Sequence, residues 1–556
     1  MRKIIIIAVC CVAVALGGYA GYNWYVVRKQ NHLISLAQQY LANSDGQKAL
    51  LCLQVVLRSN PNNLAAVRMM AILSGAAQSP SALMWRKRAA ELNPGSLEDQ
   101  LSLVQTALIL RDYNTATSAL ASVSGEGRKT AAFQNVAGTV AEAANNMAEA
   151  EAHFSEALRL EPANQAVQLN LAMVQLHGTN VSAQSEARTV LVRISADSAN
   201  PALRCMALRE LIMDAEKYQQ LETALTLSRE LVQQPGSLFT DKLLRLDLLK
   251  GTGAAGYRPM LAEAQRSSVS EAENIVAMAS WQEANISVDS TLTWLRSLPA
   301  NIQTNQPTAL VMAQCLSLEQ DWPGVQMWVE KQNWAGLEFM RYAFLARALR
   351  EQGLTATSDT EWQQAVTLAN NQESNLVLLL RKAAEWKWES KAEDLLWEIV
   401  DKYPGEQWAN HALVQGLYNS GRTRSLMTLS VQQLKYNPAD LSVKNNLAMC
   451  SLLLDEQELK PNDLARALFE AAPDNPSFVS TYAFSLFLQK QNAGALKIIE
   501  RLPPEELGKP SIAGYYGLIL KATGDPAKAR IYLDLAFKSN LLPEEQKLFD
   551  QARTGL

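Results

Sequence analysis

The four histidines are the side chains of this 556-residue sequence best suited to metal binding and to acid–base catalysis near neutral pH. No second histidine lies four residues from any of them, and no HExxH pattern surrounds them. A catalytic or structural metal needs three or four ligands in one place, and the sequence offers no such set. We therefore predict neither a metal site nor a cofactor. The histidines are His32, His153, His177 and His411.

Motifs of nucleophilic or nucleotide chemistry do not supply a site either. The sequence contains no GxSxG and no phosphate loop. The letters GTGAAG at 251–256 match GxGxxG, but a dinucleotide site needs a strand before them and a helix after them. The preceding DKLLRLDLLK is helical in pattern and Pro259 follows, which favours a flexible loop. With no convergent set of reactive groups, we predict that the protein is not an enzyme.

Tryptophan is the one residue type with a marked regional bias. Ten of the twelve tryptophans lie between Trp281 and Trp408, and most are expected to fill the core. Trp386 and Trp388 are two residues apart, and on a helix their side chains would point about 200° from each other. We therefore expect at least one of these two rings to be exposed. An exposed tryptophan is a natural anchor for a partner protein or a sugar ring, so both are candidate binding residues.

The amino terminus has the composition of a membrane segment. Residues 4–27 carry no formal charge and lie between Met1-Arg2-Lys3 and Arg28-Lys29. As a helix they would be about 36 Å long, enough to cross a hydrocarbon core of about 30 Å. We predict that 1–29 is a single-pass anchor that places the C-terminal bulk outside the cytoplasm, on the periplasmic side of a bacterial inner membrane. The alternative is a cleaved signal peptide, which would also export the chain.

The helices that must position any site are marked by a repeat. In GTVAEAANNMAEAEAHFSEALRLEP, at 138–162, small residues and one phenylalanine stand at fixed distances before the final proline. Prolines keep a similar register elsewhere, with 34 residues from Pro201 to Pro235 and again from Pro404 to Pro438. Apolar residues recur at three- and four-residue steps rather than two, which indicates helices. The key positions of the stretch are Gly138, Ala150, Phe154, Ala157 and Pro162.

This spacing resembles the tetratricopeptide repeat (TPR), a helix-turn-helix of 34 residues with small residues where helices touch and a proline where the second helix ends. The resemblance implies an all-α fold: a TPR-like α-solenoid, that is, a superhelix of antiparallel helix pairs, here with an N-terminal transmembrane helix. The clearest units are near 30–63, 64–96, 131–164, 371–406, 407–440, 441–475 and 510–543.

The resemblance also implies a concave groove lined by the first helix of each pair. In the sharpest unit this places Asn135, Thr139 and Glu142 in the groove, and we take them as candidate partner-binding residues. Some TPR domains hold a partner's carboxyl terminus with lysine, arginine and asparagine at the fifth and ninth positions of successive first helices. Such a carboxylate-binding site is not predicted here, because those positions hold apolar residues such as Leu169 and Met173.

Changes in repeat clarity suggest five segments. The stretch 251–259 and the polar residues of 286–308 look like interruptions of the superhelix. LLPEEQKLFDQARTGL at the end is expected to form a closing helix, since a terminal repeat needs a polar outer face. The predicted segments are 1–29, membrane anchor or signal segment; 30–250, N-terminal TPR array; 251–308, irregular helical or hinge region; 309–410, tryptophan-rich helical repeats; and 411–556, C-terminal TPR array with closing helix.

Charge and architecture together indicate a protein that acts by binding. The net charge of −4 is small and the basic residues are scattered, so nucleic acid is not an expected partner. We predict a membrane-anchored TPR scaffold of the cell envelope that takes part in the assembly or export of a surface structure and holds protein partners, as peptide or helix, in the groove. The alternative is a carbohydrate-binding or polysaccharide-export module that uses the tryptophan-rich centre.

Overall fold

The computed structural model describes residues 24–43, 45–76, 79, 81–370 and 372–555, and this part of the chain is mostly helical and contains no strand. The chain divides into two compact units, an N-terminal unit that ends at Trp281 and a C-terminal unit that begins at Gln282, a boundary inside α15. The helices up to this boundary are α1 (24–42), α2 (Gly46–Ser59), α3 (Leu64–Ala76), α4 (Ser81–Leu92), α5 (Leu97–Ile109), α6 (Tyr113–Ala121), α7 (Ala131–Ala143), α8 (Met147–Leu160), α9 (Gln165–His177), α10 (Val181–Ala196), α11 (Pro201–Lys217), α12 (Leu221–Leu231), α13 (Phe239–Thr252), α14 (Tyr257–Ser268) and α15 (Ala272–Asn285).

The C-terminal unit continues in the same style, with two short helices, α17 and α30, between longer ones. Its helices are α16 (Val288–Ser297), α17 (Ala300–Gln303), α18 (Thr308–Leu318), α19 (Trp322–Glu330), α20 (Glu338–Glu351), α21 (Thr355–Ala369), α22 (Glu373–Glu385), α23 (Glu389–Lys402), α24 (Gln407–Asn419), α25 (Thr423–Tyr436), α26 (Leu441–Leu454), α27 (Pro461–Ala471), α28 (Pro476–Leu488), α29 (Asn492–Ile499), α30 (Pro504–Leu507), α31 (Pro510–Ala522), α32 (Pro526–Ala536) and α33 (Pro543–Thr554).

Within each unit, consecutive long helices pack as hairpins, in which we call the members the first and second helix of a pair. Each first helix also contacts neighbouring pairs, which is how such arrays bury a continuous core. This confirms the predicted TPR-like array of helix pairs, including the stretches where the sequence signature fades. The first helices are α1, α3, α5, α7, α9, α11 and α13 in the N-terminal unit, and α18, α20, α22, α24, α26, α28 and α31 in the C-terminal unit.

The pair α7/α8 shows why small residues recur at fixed positions. Phe154 of α8 is fully buried and its ring lies over Gly138 of α7. A Cβ atom at Gly138 would stand 2.6 Å from the Cε1 atom of that ring, so the close approach of the two helices requires glycine. Ala150 and Ala157 are fully buried on the same face of α8. The interpretation of 138–162 as a packing unit is therefore confirmed.

Most first helices end in the same turn, with one residue in the left-handed region. After α7, the amide of Asn145 donates to the Glu142 carbonyl and the amide of Asn146 donates to the Ala141 carbonyl, both at 2.8 Å, which is a Schellman ending. Only four of these turns use glycine, so the sequence does not mark most of them. The left-handed residues are Arg111, Asn145, Gln219, Gly253, Gln320, Gly353, Lys387, Gly421, Asp455, Lys490 and Gly524, many of them 34 residues apart.

This turn changes the interpretation of residues 251–259. Gly253 has a φ of 66° and ends α13 as the other first helices end, so the stretch is the hairpin turn of α13/α14 rather than an interruption. Residues 251–308 hold α14, α15, α16 and α17, and the division between the two units falls inside this range. The range that was expected to be irregular is thus largely helical, and its glycines lie at the turn between α13 and α14.

The predicted anchor lies, up to residue 23, outside the described residues. Among the helices that the structure describes, none has the length and apolar character needed to cross a membrane. The first described helix begins near the predicted end of the anchor, where the Arg28 guanidinium lies 5.1 Å from the centre of the Trp24 ring. The transmembrane helix therefore stays a prediction.

Candidate functional site

The three predicted groove residues lie on α7 and are all half-buried. Asn135 accepts a hydrogen bond from the Asn170 side chain of α9, with 2.9 Å between Nδ2 and Oδ1. Thr139 donates its hydroxyl to the Asn135 carbonyl of the same helix, at 3.1 Å. The structure therefore connects Asn135 to the next first helix, whereas the Thr139 hydroxyl serves its own helix.

Glu142 belongs to a group of polar side chains spread over three consecutive first helices. His177 of α9 and Glu210 of α11 face each other, with 3.1 Å between Nε2 and Oε2. Burial raises the pKa of Glu142, and the negative charge of Glu210 raises it further, while His177 acts in the opposite direction. The charge of Glu210 on α11 thus acts on the Glu142 carboxyl of α7. We call Asn135, Asn170, Glu142, His177 and Glu210 the first-helix row.

Carboxylates continue beyond this row on the following first helices. Glu216, at the end of α11, has a pKa raised by burial and by the charge of Asp247 on α13. Asp247 itself accepts a hydrogen bond from the indole of Trp281, with 2.7 Å between Oδ1 and Nε1. The first helices of the N-terminal unit therefore present acceptors, most of them carboxylates, from α7 to α13.

Partly buried ion pairs hold successive first helices in register. Arg209 of α11 donates from Nε and Nη2 to the two carboxylate oxygens of Asp241 on α13, at 2.7 and 2.8 Å. Asp241 also accepts the Leu238 amide at 2.7 Å and so caps its own helix. Arg68 of α3 reaches Asp99 of α5 in the same two-pronged manner. These pairs position the helices, because planar guanidinium–carboxylate contacts specify geometry as well as energy.

The chemistry available in this row is recognition of hydrogen-bond donors and positive charge. Half-buried carboxylates and amides accept hydrogen bonds in a setting where water screens them incompletely. Among the described residues, no three histidine, cysteine, aspartate or glutamate side chains come together as a metal site would require. The row is suited to binding the backbone amides or basic side chains of a polypeptide.

Trp386 and Trp388 do not lie on one helix, contrary to the expectation that set them about 200° apart. Trp386 follows the last residue of α22, Trp388 precedes the first of α23, and Lys387 between them has a φ of 58°. This left-handed residue reverses the chain, so both rings meet with centroids 5.4 Å apart. Trp388 is 7% exposed and Trp386 is half-buried.

Both rings face one guanidinium. The Arg347 guanidinium of α20 lies 5.9 Å from the Trp386 ring centre and 5.6 Å from that of Trp388. It also lies 5.4 Å from the Trp322 ring centre. Burial lowers the pKa of Arg347, which nevertheless keeps Glu351 as an ion-pair partner at 3.1 Å. These contacts make the two tryptophans parts of a packed cluster, and Trp408, 42% exposed, is the more accessible ring.

Asn170, His177 and Glu210 are the row residues that sequence reasoning did not select. The spacing could have indicated two of them, since Asn170 lies 35 residues after Asn135 and His177 lies 35 residues after Glu142. A strict 34-residue period would instead select Leu169, which is fully buried. Contacts between neighbouring helices run diagonally, so the residue that meets its neighbour is not the one at the equivalent repeat position.

Comparisons with known proteins find similar helical arrays but no close relative. No family model and no curated protein matches the chain. A solved MamA fragment from Desulfovibrio magneticus RS-1 is 15% identical, covering 30% of this chain and 92% of its own, with a TM-score of 0.27. PilF of Pseudomonas aeruginosa is 16% identical, covering 37% and 91%, with a TM-score of 0.30. The APC/C hetero-tetramer Cut9–Hcn1 is 12% identical, covering 82% and 96%, with a TM-score of 0.28.

These solved structures are of the TPR type. Similarities of this size carry no information on partner, activity or location. The first-helix row therefore remains the observation from which a function is proposed.

Proposed function

We propose that the protein is a membrane-anchored TPR scaffold of the cell envelope, and that the first-helix row of the N-terminal unit binds a protein partner. The observation that carries the proposal is a set of polar side chains on three successive first helices. It comprises the His177–Glu210 contact, the Asn135–Asn170 hydrogen bond and Glu142, whose pKa the charge of Glu210 raises. Asn135, Glu142 and Asn170 are half-buried, His177 is exposed and Glu210 is buried. Polar groups of this kind, partly shielded from water, can fix the orientation of a bound partner.

The spacing of the row favours a polypeptide partner. Packed helices lie about 8–10 Å apart, which matches about three residues of an extended chain at about 3.3 Å each. A peptide that crosses α7, α9 and α11 would thus offer an amide or a basic side chain to each helix in turn. Carboxylates whose ionisation burial disfavours gain most from a positively charged neighbour.

The location in the envelope rests on the amino-terminal sequence. The uncharged residues 4–27 between basic brackets support the anchor. The participation in assembling or exporting a surface structure is a role that such a placement suits. The polysaccharide alternative relied on Trp386 and Trp388, and these two rings are engaged with each other and with Arg347.

A photo-crosslinking experiment in cells tests the binding face. A photoreactive residue at Thr139 is expected to capture a partner that is lost when Glu142→Lys is added, since the lysine repels basic groups. The matched control is the same photoreactive residue at Val181, which is 75% exposed at the start of a second helix. Equal capture of one partner from both positions, or capture that Glu142→Lys leaves unchanged, would contradict the proposal.

Cell fractionation tests the anchor separately. The full chain is expected in the membrane fraction after an alkaline carbonate wash, and a chain without residues 1–29 in the soluble fraction. A reporter fused after Leu556 that is active only in the cytosol would refute the outward orientation.

A further inference from the structure

The last helix of the chain reaches far beyond the pair that precedes it. After α32 ends at Ala536, the chain crosses to the end of α24, where the Tyr418 hydroxyl donates to the Asn540 carbonyl at 2.9 Å. Thr423, at the start of α25, donates its hydroxyl to Glu544. Helix α33 also contacts α26, α31 and α32. A helix that only capped the last pair would need neither α24 nor α26.

Three side chains anchor α33 to this surface, and their spacing is that of a helix lying in a groove. Glu545, Phe549 and Ala552 are its buried residues, and they stand at positions i, i+4 and i+7. Gln546 and Lys547, on the opposite side of the helix, are exposed. One face of α33 thus makes the contacts and the other remains in solvent.

The Phe549 ring fills a space on the surface of α31. A Cβ atom at Gly514 would stand 2.4 Å from the Phe549 ring, so glycine opens the space that the ring fills. The neighbouring Tyr515 ring meets Phe549 edge-on with centroids 5.3 Å apart, and Phe484 of α28 closes the other side of Tyr515 at 4.8 Å.

The acidic anchor is also received by specific donors. Glu545 accepts the buried hydroxyl of Tyr515 and the amide of Leu542, the latter at 2.8 Å. At the far end of the helix, the Lys521 ammonium donates to the Ala552 carbonyl at 2.6 Å. The surface therefore contacts the start of the helix at the Glu545 carboxylate, its middle at the Phe549 ring and its end at the Ala552 carbonyl.

In these contacts the surface acts as a binding site and α33 acts as its ligand, and both belong to one chain. Twelve residues form too short a helix to be stable alone in water, so α33 exists because the surface holds it. Its anchors are side chains that any amphipathic helix can carry at the same spacing. Six residues, 537–542, connect it to α32.

We propose that the first-helix face of the C-terminal unit, from α24 to α31, is a helix-binding site whose tethered occupant is α33. The partner that it fits is an amphipathic helix with a carboxylate, a phenylalanine and a small residue at i, i+4 and i+7. Such a helix competes with α33 and displaces it from this surface. This site is separate from the first-helix row, and its test is independent of the function proposed above.

The test uses the full chain and a labelled synthetic peptide with the sequence of residues 538–556. Phe549→Ala in the chain empties the space that the ring fills and weakens the tethered helix, so fluorescence anisotropy is expected to show peptide binding to this variant. The wild-type chain binds the peptide at least about tenfold more weakly, because a short tether holds the competitor at an effective concentration on the order of millimolar. Lys547→Ala, on the exposed side of α33, serves as the matched control and behaves as wild type.

Several results would overturn the proposal. In the anisotropy experiment they are equal affinity of the peptide for wild-type and Phe549→Ala chains, and binding to neither. A further test is hydrogen exchange of the wild-type chain. We expect amides of 543–554 to exchange at least about tenfold faster than those of α31, and faster still with excess peptide. Exchange of α33 only together with α31 would show an integral part of the fold instead, as would loss of the Phe549→Ala chain's cooperative unfolding.

Discussion

Glu142 and Glu210 lie on first helices two pairs apart, and the charge of Glu210 adds to burial in raising the pKa of Glu142. The two residues are separated by the helix that carries His177, whose ring contacts Glu210. A second negative charge near a partly buried carboxyl makes its ionised form unfavourable in the folded chain. Their arrangement is what a partner with positive charge would relieve, and it has a measurable effect on the protein alone.

Glu142→Gln is expected to raise the urea midpoint of unfolding at pH 7 and to leave it unchanged at pH 4. The folded chain favours protonated Glu142, so this group contributes stability below its ordinary pKa of 4.5 and loses that contribution as the pH rises through the higher folded value. Screening at this half-buried site limits the gain to less than about 1 kcal/mol. The same gain at both pH values would contradict this account.

Gly138→Ala is expected to destabilise the protein even though alanine favours helices. The new methyl group would stand within 2.8 Å of three Phe154 ring atoms. The overpacking costs about 1–3 kcal/mol, which outweighs a propensity gain of about 1 kcal/mol. Gly416→Ala is the matched control, because Gly416 also lies within a first helix but has open space around it. Urea denaturation should show a loss for Gly138→Ala and a small gain for Gly416→Ala, and a gain for both would exclude the steric explanation.

Asp241→Asn is expected to cost about 2–3 kcal/mol of unfolding free energy, since Arg209 loses a two-pronged, mostly buried partner. The comparison is Glu91→Gln, which breaks the exposed Arg88–Glu91 pair at 3.1 Å. That change should cost less than about 1 kcal/mol. Calorimetry on both variants measures the difference, and similar losses would mean that Asp241 does not hold α11 and α13 together.

Trp388→Ala is expected to destabilise the C-terminal unit by about 3–5 kcal/mol, because it empties a buried space between Trp362, Trp386 and Arg347. Trp408→Ala removes a ring that is 42% exposed and should cost less than about 1.5 kcal/mol. Tryptophan fluorescence during denaturation follows both variants. If Trp388→Ala unfolds like wild type, the cluster is not a packing element and its role as a binding anchor reopens.

The Schellman turns predict opposite effects for two backbone substitutions. Gly524→Ala should cost about 1–2 kcal/mol, because the turn has a φ of 92° and open space, so only the backbone resists the methyl group. Lys490→Gly, at a φ of 65° one repeat earlier, should stabilise by about 0.5–1 kcal/mol. Thermal unfolding of each variant measures the shift, and the same sign for both would contradict the turn assignment.

The helix pairs could be predicted because their causes are local. Gly138 and Ala150 recur where helices touch, and Pro162 lies just after the end of α8. The left-handed turns could not be predicted as easily, since Lys387 or Gln320 adopts the same conformation as Gly421. In these turns tertiary packing overrides the local preference for glycine. For that reason the prediction that the Trp386 and Trp388 side chains point about 200° apart on one helix was wrong.

The candidate site shows the same limit more sharply. The sequence by itself determined which residues lie on the first helices, including Asn135, Thr139 and Glu142, because a 34-residue period sets the face of each helix. Only the tertiary structure decided that Asn135 accepts a hydrogen bond from Asn170 and that the charge of Glu210 acts on Glu142. Only the tertiary structure showed that the segment leading into α33 contacts Tyr418 of α24. Such contacts depend on the angle and offset at which one pair stacks on the next, which accumulate over several repeats and which no local pattern encodes.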